Sequence, residues 1–427
     1  MISVTGKIIE NAGDNGIVGR IKTYLKPNGL ECKEKKTVCS ESDYINGEYC
    51  RFSNDNGKTW TEWVESPRSE FTIMYGEDEM TYEYTREVWN PVHKHYVSTK
   101  LARFYLGGHR HAYDGIYLGE ARYFDHQHTL IRNPEDDKPF SDELLKYEDG
   151  VEFDPQNPKN PEYLHKNRGY LNAPIVLKNG DIAVAIGMPV RKACEIAGID
   201  VNAVYPSTPD LHYAAMIARG VYNTDKKIYE YTFSNPIILS DMQSSRGIDE
   251  PVLAELESGR ILLVMRASNV TYEGWNSRLE PNAPNFKWYS FSDDGGKTFC
   301  QPLIWHFDNR EVIYSPASIS EFIRSSKNGK LYWIGNITDY TAWDNFPRFP
   351  LCIVEIDEKT GQPKKESYTV IDTRREGETE RVQLSNFILL EDRETGNIEL
   401  TLAKNGQFDA YKPFKGETWR YEINVEA

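Results

Sequence analysis

Long apolar runs are missing from this 427-residue chain: nowhere do 18 successive apolar residues occur, which excludes a transmembrane helix. The opening residues, Met1-Ile-Ser-Val-Thr-Gly-Lys, lack the basic and apolar regions of a signal peptide. The compartment therefore stays open between the cytoplasm and export after removal of a signal. Cysteine is scarce, with six residues at 32, 39, 50, 194, 300 and 352, no C-x-x-C pair and no dense framework. Free thiols are expected, a Cys32–Cys39 or Cys39–Cys50 bridge being the alternative for an exported protein. Basic charge is in deficit, 50 Lys and Arg against 65 Asp and Glu, for a net charge of −15. That argues against nucleic acid or an anionic membrane as the main partner. Helical periodicity is sparse too, the clearest candidates being the short stretches Ser141 to Tyr147 and Arg191 to Ala197.

Aromatic residues and short strands are abundant. The 27 Tyr, 17 Phe and 9 Trp form a load that no disordered chain carries. Apolar or alternating runs of four to eight residues recur between Gly, Asn and Asp turns, the pattern of an all-β chain. One strand–turn–strand unit repeats around Gly180, Gly259, Gly329 and Gly396, with looser copies around Gly29 and from His95 to Leu106. Six copies in 427 residues average about 71 residues each, a generous four-stranded propeller blade, and a ring of blades protects strand edges.

Two segments, Ser53-Asn-Asp-Asn-Gly-Lys-Thr-Trp60 and Ser292-Asp-Asp-Gly-Gly-Lys-Thr-Phe299, share the pattern S-x-D-x-G-x-T-[WF]. The Asp accepts backbone N–H groups across a hairpin, the Gly supplies positive φ, and the aromatic packs beneath the strand. They resemble the Asp-box of sialidase (neuraminidase) propellers, and are read as structural. The resemblance implies one all-β domain over 1–427, a six-bladed β-propeller of the sialidase type, with seven blades the lesser alternative. Rim insertions are expected near 133–168 and 191–210.

The same resemblance implies site residues. Arg20-Ile-Lys stands where sialidases carry an Arg-Ile-Pro strand, although the Pro is missing. Glu250-Pro-Val-Leu-Ala-Glu-Leu, running on to Arg266, is similar to the fourth-blade sialidase segment. Arg348-Phe-Pro-Leu-Cys-Ile-Val fits the place of the third arginine of a triad. Glu250 would then be the buried carboxylate of the reaction, and Arg20, Arg266 and Arg348 would hold a substrate carboxylate through guanidinium forks. The acid falls among Glu41, Asp43 and Glu48, with Asp43 chosen. The pattern breaks in blade six, where Leu402 stands in place of the sialidase nucleophilic Tyr.

Six of the nine His lie within 36 residues, as His93-Lys-His95, His109-Arg-His111 and His126-Gln-His128. Alternate residues of a strand share a face, so each pair can aim two imidazoles to one side. Three readings stand: hydrogen bonding along strand edges, a divalent metal within the His93–His128 cluster, or acid–base chemistry at a sugar. The last resembles ulvan-type lyases, with His109 and His128 19 residues apart and Tyr170 and Arg191 downstream. Trp275 and Trp343, in loop-like stretches, are the better candidates for stacking on a sugar.

The leading expectation is a sialidase-like exo-glycosidase attacking a terminal sialic or uronic acid of a glycan, with no cofactor required. Asp43 and Glu250 would act on the bond, and Arg20, Arg266 and Arg348 on the carboxylate. The rivals are a uronate-directed polysaccharide lyase using His109 and His128 with Tyr170, and a non-catalytic glycan-binding propeller. An acidic oligosaccharide or polysaccharide is the expected partner in all three, and the oligomeric state is left open.

Overall fold

The computed structural model describes residues 2–14, 16–40, 44–66, 72–108, 122–136, 138–206, 212–270 and 278–426. The chain groups into two compact units, one of residues 1–70, 284–287 and 305–427, the other of 71–283 and 288–304. Six antiparallel sheets make up the fold, three to each unit, and each sheet is a blade of a six-bladed β-propeller.

In the first unit, blade one runs through Ile17–Tyr24, Cys32–Cys39, Gly47–Ser53 and Val64–Glu65. Blade five is Glu321–Arg324, Leu331–Asn336, Leu351–Asp357 and Gln362–Pro363, with Thr369–Asp372 also paired to its third strand. Blade six takes Phe387–Glu391, Ile398–Ala403 and Thr418–Val425 in order, and its outer strand is Ile2–Glu10 from the start of the chain. This last pairing ties the two ends of the chain into one sheet.

The second unit holds blade two, built on the long strands His95–Tyr105 and Arg122–Arg132. Blade three is Tyr170–Leu171, Ile175–Val176, Ile182–Pro189, Tyr213–Asn223 and Ile228–Phe233. Blade four is Asp249–Glu255, Ile261–Arg266, Lys287–Ser292 and Leu303–Ile304.

The repeated turn glycines lie between successive strands of blades three to six. Gly180, Gly259, Gly329 and Gly396 all have positive φ, between 66° and 89°, a conformation that costs a β-carbon-bearing residue free energy. The strand after each turn is apolar because both of its faces are covered: every residue of Ile182–Pro189 is buried, as is every residue of Leu331–Asn336. Ile182, Val184, Ile186 and Met188 pack with Ala214, Met216 and Ala218 in the core of the second unit. Each large side chain buried in this way contributes about 1.5–3 kcal/mol.

The two S-x-D-x-G-x-T segments form hairpins with the same hydrogen bonds. Asp55 accepts from the Thr59 amide and hydroxyl at 2.8 and 2.6 Å, and the Gly57 amide donates to Ser53 Oγ at 2.8 Å. Asp294 likewise accepts from Thr298 at 2.9 and 2.7 Å, and Gly296 donates to Ser292 at 2.8 Å. Hydrogen bonds led by the Thr59 hydroxyl hold Asp55 at about 2.

One local expectation is corrected. Ser141 to Tyr147 is not helical: Ser141–Leu144 is an edge strand paired with His128 to Ile131, so cross-strand pairing overrides its local helical preference. The Arg191 stretch is helical, as Val190–Ala197 ending on the left-handed Gly198. All six cysteines are free. Cys32 and Cys39 lie at opposite ends of one eight-residue strand, about 23 Å apart, far beyond the roughly 7 Å that a disulfide spans.

Candidate functional site

The inner strand of blade four begins with a break in its ladder. Asp249 pairs with Arg266 and Val252 with Val264, so the register shifts across Glu250 and Pro251. Glu250 has φ of +40°, a left-handed backbone for a residue that also precedes proline. Such a conformation costs about 1–3 kcal/mol and persists only where the surroundings hold it. A bulge of this kind turns a side chain away from the alternation of its strand.

Three groups hold it. Arg266 Nη1 donates to Glu250 Oε2 at 2.6 Å, across the first hairpin of the blade. The Tyr170 hydroxyl, from the inner strand of blade three, accepts the Glu250 amide at 2.8 Å and donates to Asp249 Oδ1 at 3.0 Å. Arg246 lies 3.8 Å from the other Asp249 oxygen. The Tyr170 ring meets Tyr213 edge-on at 5.1 Å and packs over Gly187, where a β-carbon would fall 2.1 Å from the ring. Gly187 therefore makes room for Tyr170.

The electrostatics separate the roles. Burial, helped by the charges of Asp249 and Glu250, pushes the Tyr170 hydroxyl well above its ordinary value. It remains a phenol that donates to a carboxylate, and so positions the bulge without supplying a phenolate nucleophile. His212 is buried beside this cluster, and burial followed by the Arg246 charge lowers it to about 3, so its imidazole is neutral. The Glu250 side chain keeps 33% of its surface open to solvent, while that of Arg266 keeps 11%. The arrangement is thus a partly exposed carboxylate at a fixed site, able to accept a proton from a bound water or hydroxyl.

The remaining sequence-based residues fall elsewhere. Asp43, His109, His111 and Trp275 lie outside the described residues. Arg20 is buried in the first unit, forked onto Glu34 at 2.8 and 3.2 Å and bonded to Glu10 at 2.9 Å. Glu34, fully buried, also takes Arg51 at 2.7 Å and Arg420 at 2.9 Å. Arg20 therefore serves an ion-pair network that joins blade one to blade six. Arg348, also in the first unit, donates to Gln383 at 2.6 Å, Asn345 at 2.8 Å and the Ala317 carbonyl at 2.7 Å. Leu402 is buried opposite Phe387 and Trp419, in an apolar environment where a nucleophile would have no access. Trp343 is half-exposed.

The histidines divide into separate groups. His93 and His95 stack at 5.8 Å beside Tyr222, and His95 Nε2 meets the Tyr229 hydroxyl at 2.8 Å. His126 packs on Phe153 at 3.9 Å, while His128 Nδ1 lies 2.6 Å from Asp142, whose other oxygen takes Lys100 at 2.6 Å. Burial lowers His128 despite Asp142. Burial would raise Asp142, but bonds from His128 and Lys100 outweigh it and hold that carboxyl at about 2. Among the described residues no three His, Cys, Asp or Glu side chains converge as metal ligands.

Asp249, Arg246, His212 and Asp142 were not singled out from the sequence. Asp249 had one signal, its place beside Glu250-Pro251 at a strand start. The others carry none: Arg246 lies three residues before Asp249, His212 reaches them from the start of a blade-three strand, and Asp142 meets His128 across two strands of blade two.

No family model matches the chain, and no curated protein matches it. Among solved structures it is similar to a protein of unknown function from Dyadobacter fermentans DSM 18053, with a TM-score of 0.57, 13% identity and 99% of each chain covered. It is similar to the Hadza microbial sialidase Hz136, with a TM-score of 0.55, 13% identity, and 97% of this chain and 68% of that one covered. The NanB sialidase from Streptococcus pneumoniae gives a TM-score of 0.53, 11% identity, and coverage of 98% and 70%. At these identities the likeness is one of fold: the chain is a six-bladed β-propeller of the sialidase type, an architecture it shares with glycosidases.

Proposed function

We propose that this protein is a glycoside hydrolase that removes a terminal acidic sugar, sialic or uronic, from a glycan. The observation that carries the reading is Glu250, a solvent-accessible carboxylate on a strained bulge, bonded to Arg266 at 2.6 Å and braced by buried Tyr170. Strain of this sort concentrates at functional sites, and the fold likeness to sialidases supports the same class of chemistry.

With Leu402 in place of a nucleophilic Tyr, the reading takes water as the nucleophile. Glu250 receives a proton from the water as its oxygen bonds to the anomeric carbon. The glycosidic oxygen leaves with a proton from a general acid, and one water is consumed for each bond broken. Arg266 is the arginine assigned to the sugar carboxylate; the Arg20 guanidinium already serves Glu34 and Glu10, and that of Arg348 serves Gln383, Asn345 and the Ala317 carbonyl.

The test is to incubate the protein with sialylated and uronate-containing oligosaccharides and weigh the products. The expected result is a gain of one water, lost in Glu250→Gln and kept in His128→Ala. Products without added water, one of them unsaturated, would overturn hydrolysis. They would favour a lyase centred on His128, whose pairing with Asp142 is the specific observation behind that second reading. Binding of acidic glycans without any product would make the chain a glycan-binding propeller.

A further inference from the structure

A cavity lies in the same unit as Glu250, between blades two and three, at the end of the strands that carries the Gly180 turn. Its volume of about 430 Å³ falls in the range of roughly 300–1,000 Å³ typical of small-molecule sites. It is remote from Glu250. Tyr213, whose ring touches Tyr170, and Tyr222, which lines the cavity, are nine residues apart on one strand, about 30 Å.

The cavity is built on a fixed floor. Buried Asn90 donates to the Gly180 carbonyl at 2.8 Å and to the Tyr229 hydroxyl at 2.9 Å, and that hydroxyl meets His95 Nε2 at 2.8 Å. Burial, then the neighbouring His93, lowers His95 to about 4, so the floor carries no positive charge at neutral pH. Gly180, with φ of +89°, lets the turn approach closely: a β-carbon there would fall 2.7 Å from Val92 and 3.0 Å from His93 Nε2.

The lining is an aromatic wall with sparse charges of both signs. Tyr222 lies 4.8 Å from the His93 ring, and Phe140 is 40% exposed across from His95. Glu143 and Asn133 add acceptors and donors. Of the two lysines, Lys226 is taken by Glu230 at 2.7 Å. The Lys227 ammonium has no hydrogen-bond or ion-pair partner among the described residues.

We propose that this cavity is a second, non-reacting glycan subsite that takes one pyranose ring bearing a single carboxylate. The ring face would lie on Tyr222 and His93, the carboxylate on Lys227, and the hydroxyls on Glu143 and Asn133. Aromatic faces bind the C–H side of a sugar, and a lone ammonium matches a single negative charge. Glu143 disfavours a dianion such as phosphate, since like charges repel. The ligand class follows from this lining and does not rest on the chemistry at Glu250.

The test measures binding of glucuronate, N-acetylneuraminate and glucose to the full chain by calorimetry and by saturation-transfer NMR. The Glu250→Gln background prevents turnover. The expected result is saturable binding of at least one of the two acids, weakened about tenfold or more by Lys227→Gln, the loss of one bond between charged groups. Glucose, lacking the carboxylate, should be insensitive to that change. Lys227 is exposed, so this variant keeps the fold; Tyr222→Ala should weaken acid and glucose alike. Binding of the acids that is equal in Lys227→Gln and the parent, or absent altogether, would overturn the proposal. So would binding abolished by Arg266→Gln but not by Lys227→Gln, which would assign the sugar to the Glu250 end.

Discussion

Replacing Tyr170 by phenylalanine removes one oxygen and leaves the ring in place over Gly187 and against Tyr213. That oxygen makes two bonds, one from the Glu250 amide at 2.8 Å and one to the Asp249 carboxylate at 3.0 Å. The bond to the charged group contributes about 1.5–3 kcal/mol and the neutral one about 1 kcal/mol. Part of that sum returns if the bulge relaxes, because the left-handed Glu250 stores about 1–3 kcal/mol of strain. The net local loss is then roughly 1–3 kcal/mol, which at 1.4 kcal/mol per factor of ten speeds opening of the bulge by about tenfold to a hundredfold. Pro251 has no amide, so the Glu250 N–H reports on the bulge directly. Native-state hydrogen exchange should show that amide exchanging faster by this factor in Tyr170→Phe, while strands of the first unit are unchanged. Turnover of an acidic glycan should fall with it, through kcat more than KM, since the change displaces Glu250 without touching substrate. Unaltered exchange at Glu250 would refute the reasoning, whatever the activity did, because it would mean that the hydroxyl does not hold the bulge.

Gly187→Ala should reproduce the activity loss from the other side of the ring. Its β-carbon falls 2.1 Å from Tyr170, and relief of that overlap costs about 1–3 kcal/mol, read as a lower denaturation midpoint. Stability should also fall as pH drops through the range below 6.5. His212 is held at about 3 when folded, so the unfolded chain binds a proton that the native one refuses, and acid favours unfolding. Its share is about 1.4 kcal/mol per pH unit between 6.5 and 3, and urea midpoints from pH 6.5 to 4.5 should flatten in His212→Gln; identical slopes would contradict this. Arg20→Gln should destabilise the first unit by about 1–3 kcal/mol. That is less than the 3–5 kcal/mol of a lone buried pair, because Arg51 and Arg420 still face Glu34. Were Arg20 a substrate ligand instead, the variant would unfold like the parent and lose affinity.

The blades were legible because their signals are local. A turn that needs positive φ selects Gly, a strand covered on both faces selects an apolar run, and a hairpin that needs an anionic acceptor selects Asp. Gly180, Gly259, Gly329 and Gly396 all carry the first of these, and their spacing alone counts out most of the repeat. Ser141–Leu144 was misread for the opposite reason: what makes it a strand is the register against His128 to Ile131, across a turn that leaves no periodicity. The association of Tyr170 with Glu250, 80 residues apart, has the same character. Nothing near Tyr170 announces a partner in another blade, although the paired Gly187 records the space that its ring requires.

The arginines show where sequence position stops being informative. Arg20 and Arg266 both stand at strand positions similar to those of the sialidase triad, yet they meet different partners. Arg20 projects from the Arg20, Lys22 and Tyr24 face of its strand into a space already occupied by Glu34, a carboxylate with no exposed surface. A guanidinium there has its fork filled by the protein. Arg266 ends its strand opposite a bulge, and its partner Glu250 keeps a third of its surface open. The difference comes from the companions: Glu34 is two strands' worth of buried ion pairing, while Glu250 is one bond away from solvent. An arginine becomes a candidate for recognising a ligand when its carboxylate partner can itself be reached. By that criterion Glu250 and Arg266 are the pair on which the proposed chemistry rests, and the charge buried around Glu34 belongs with the joining of the chain's two ends.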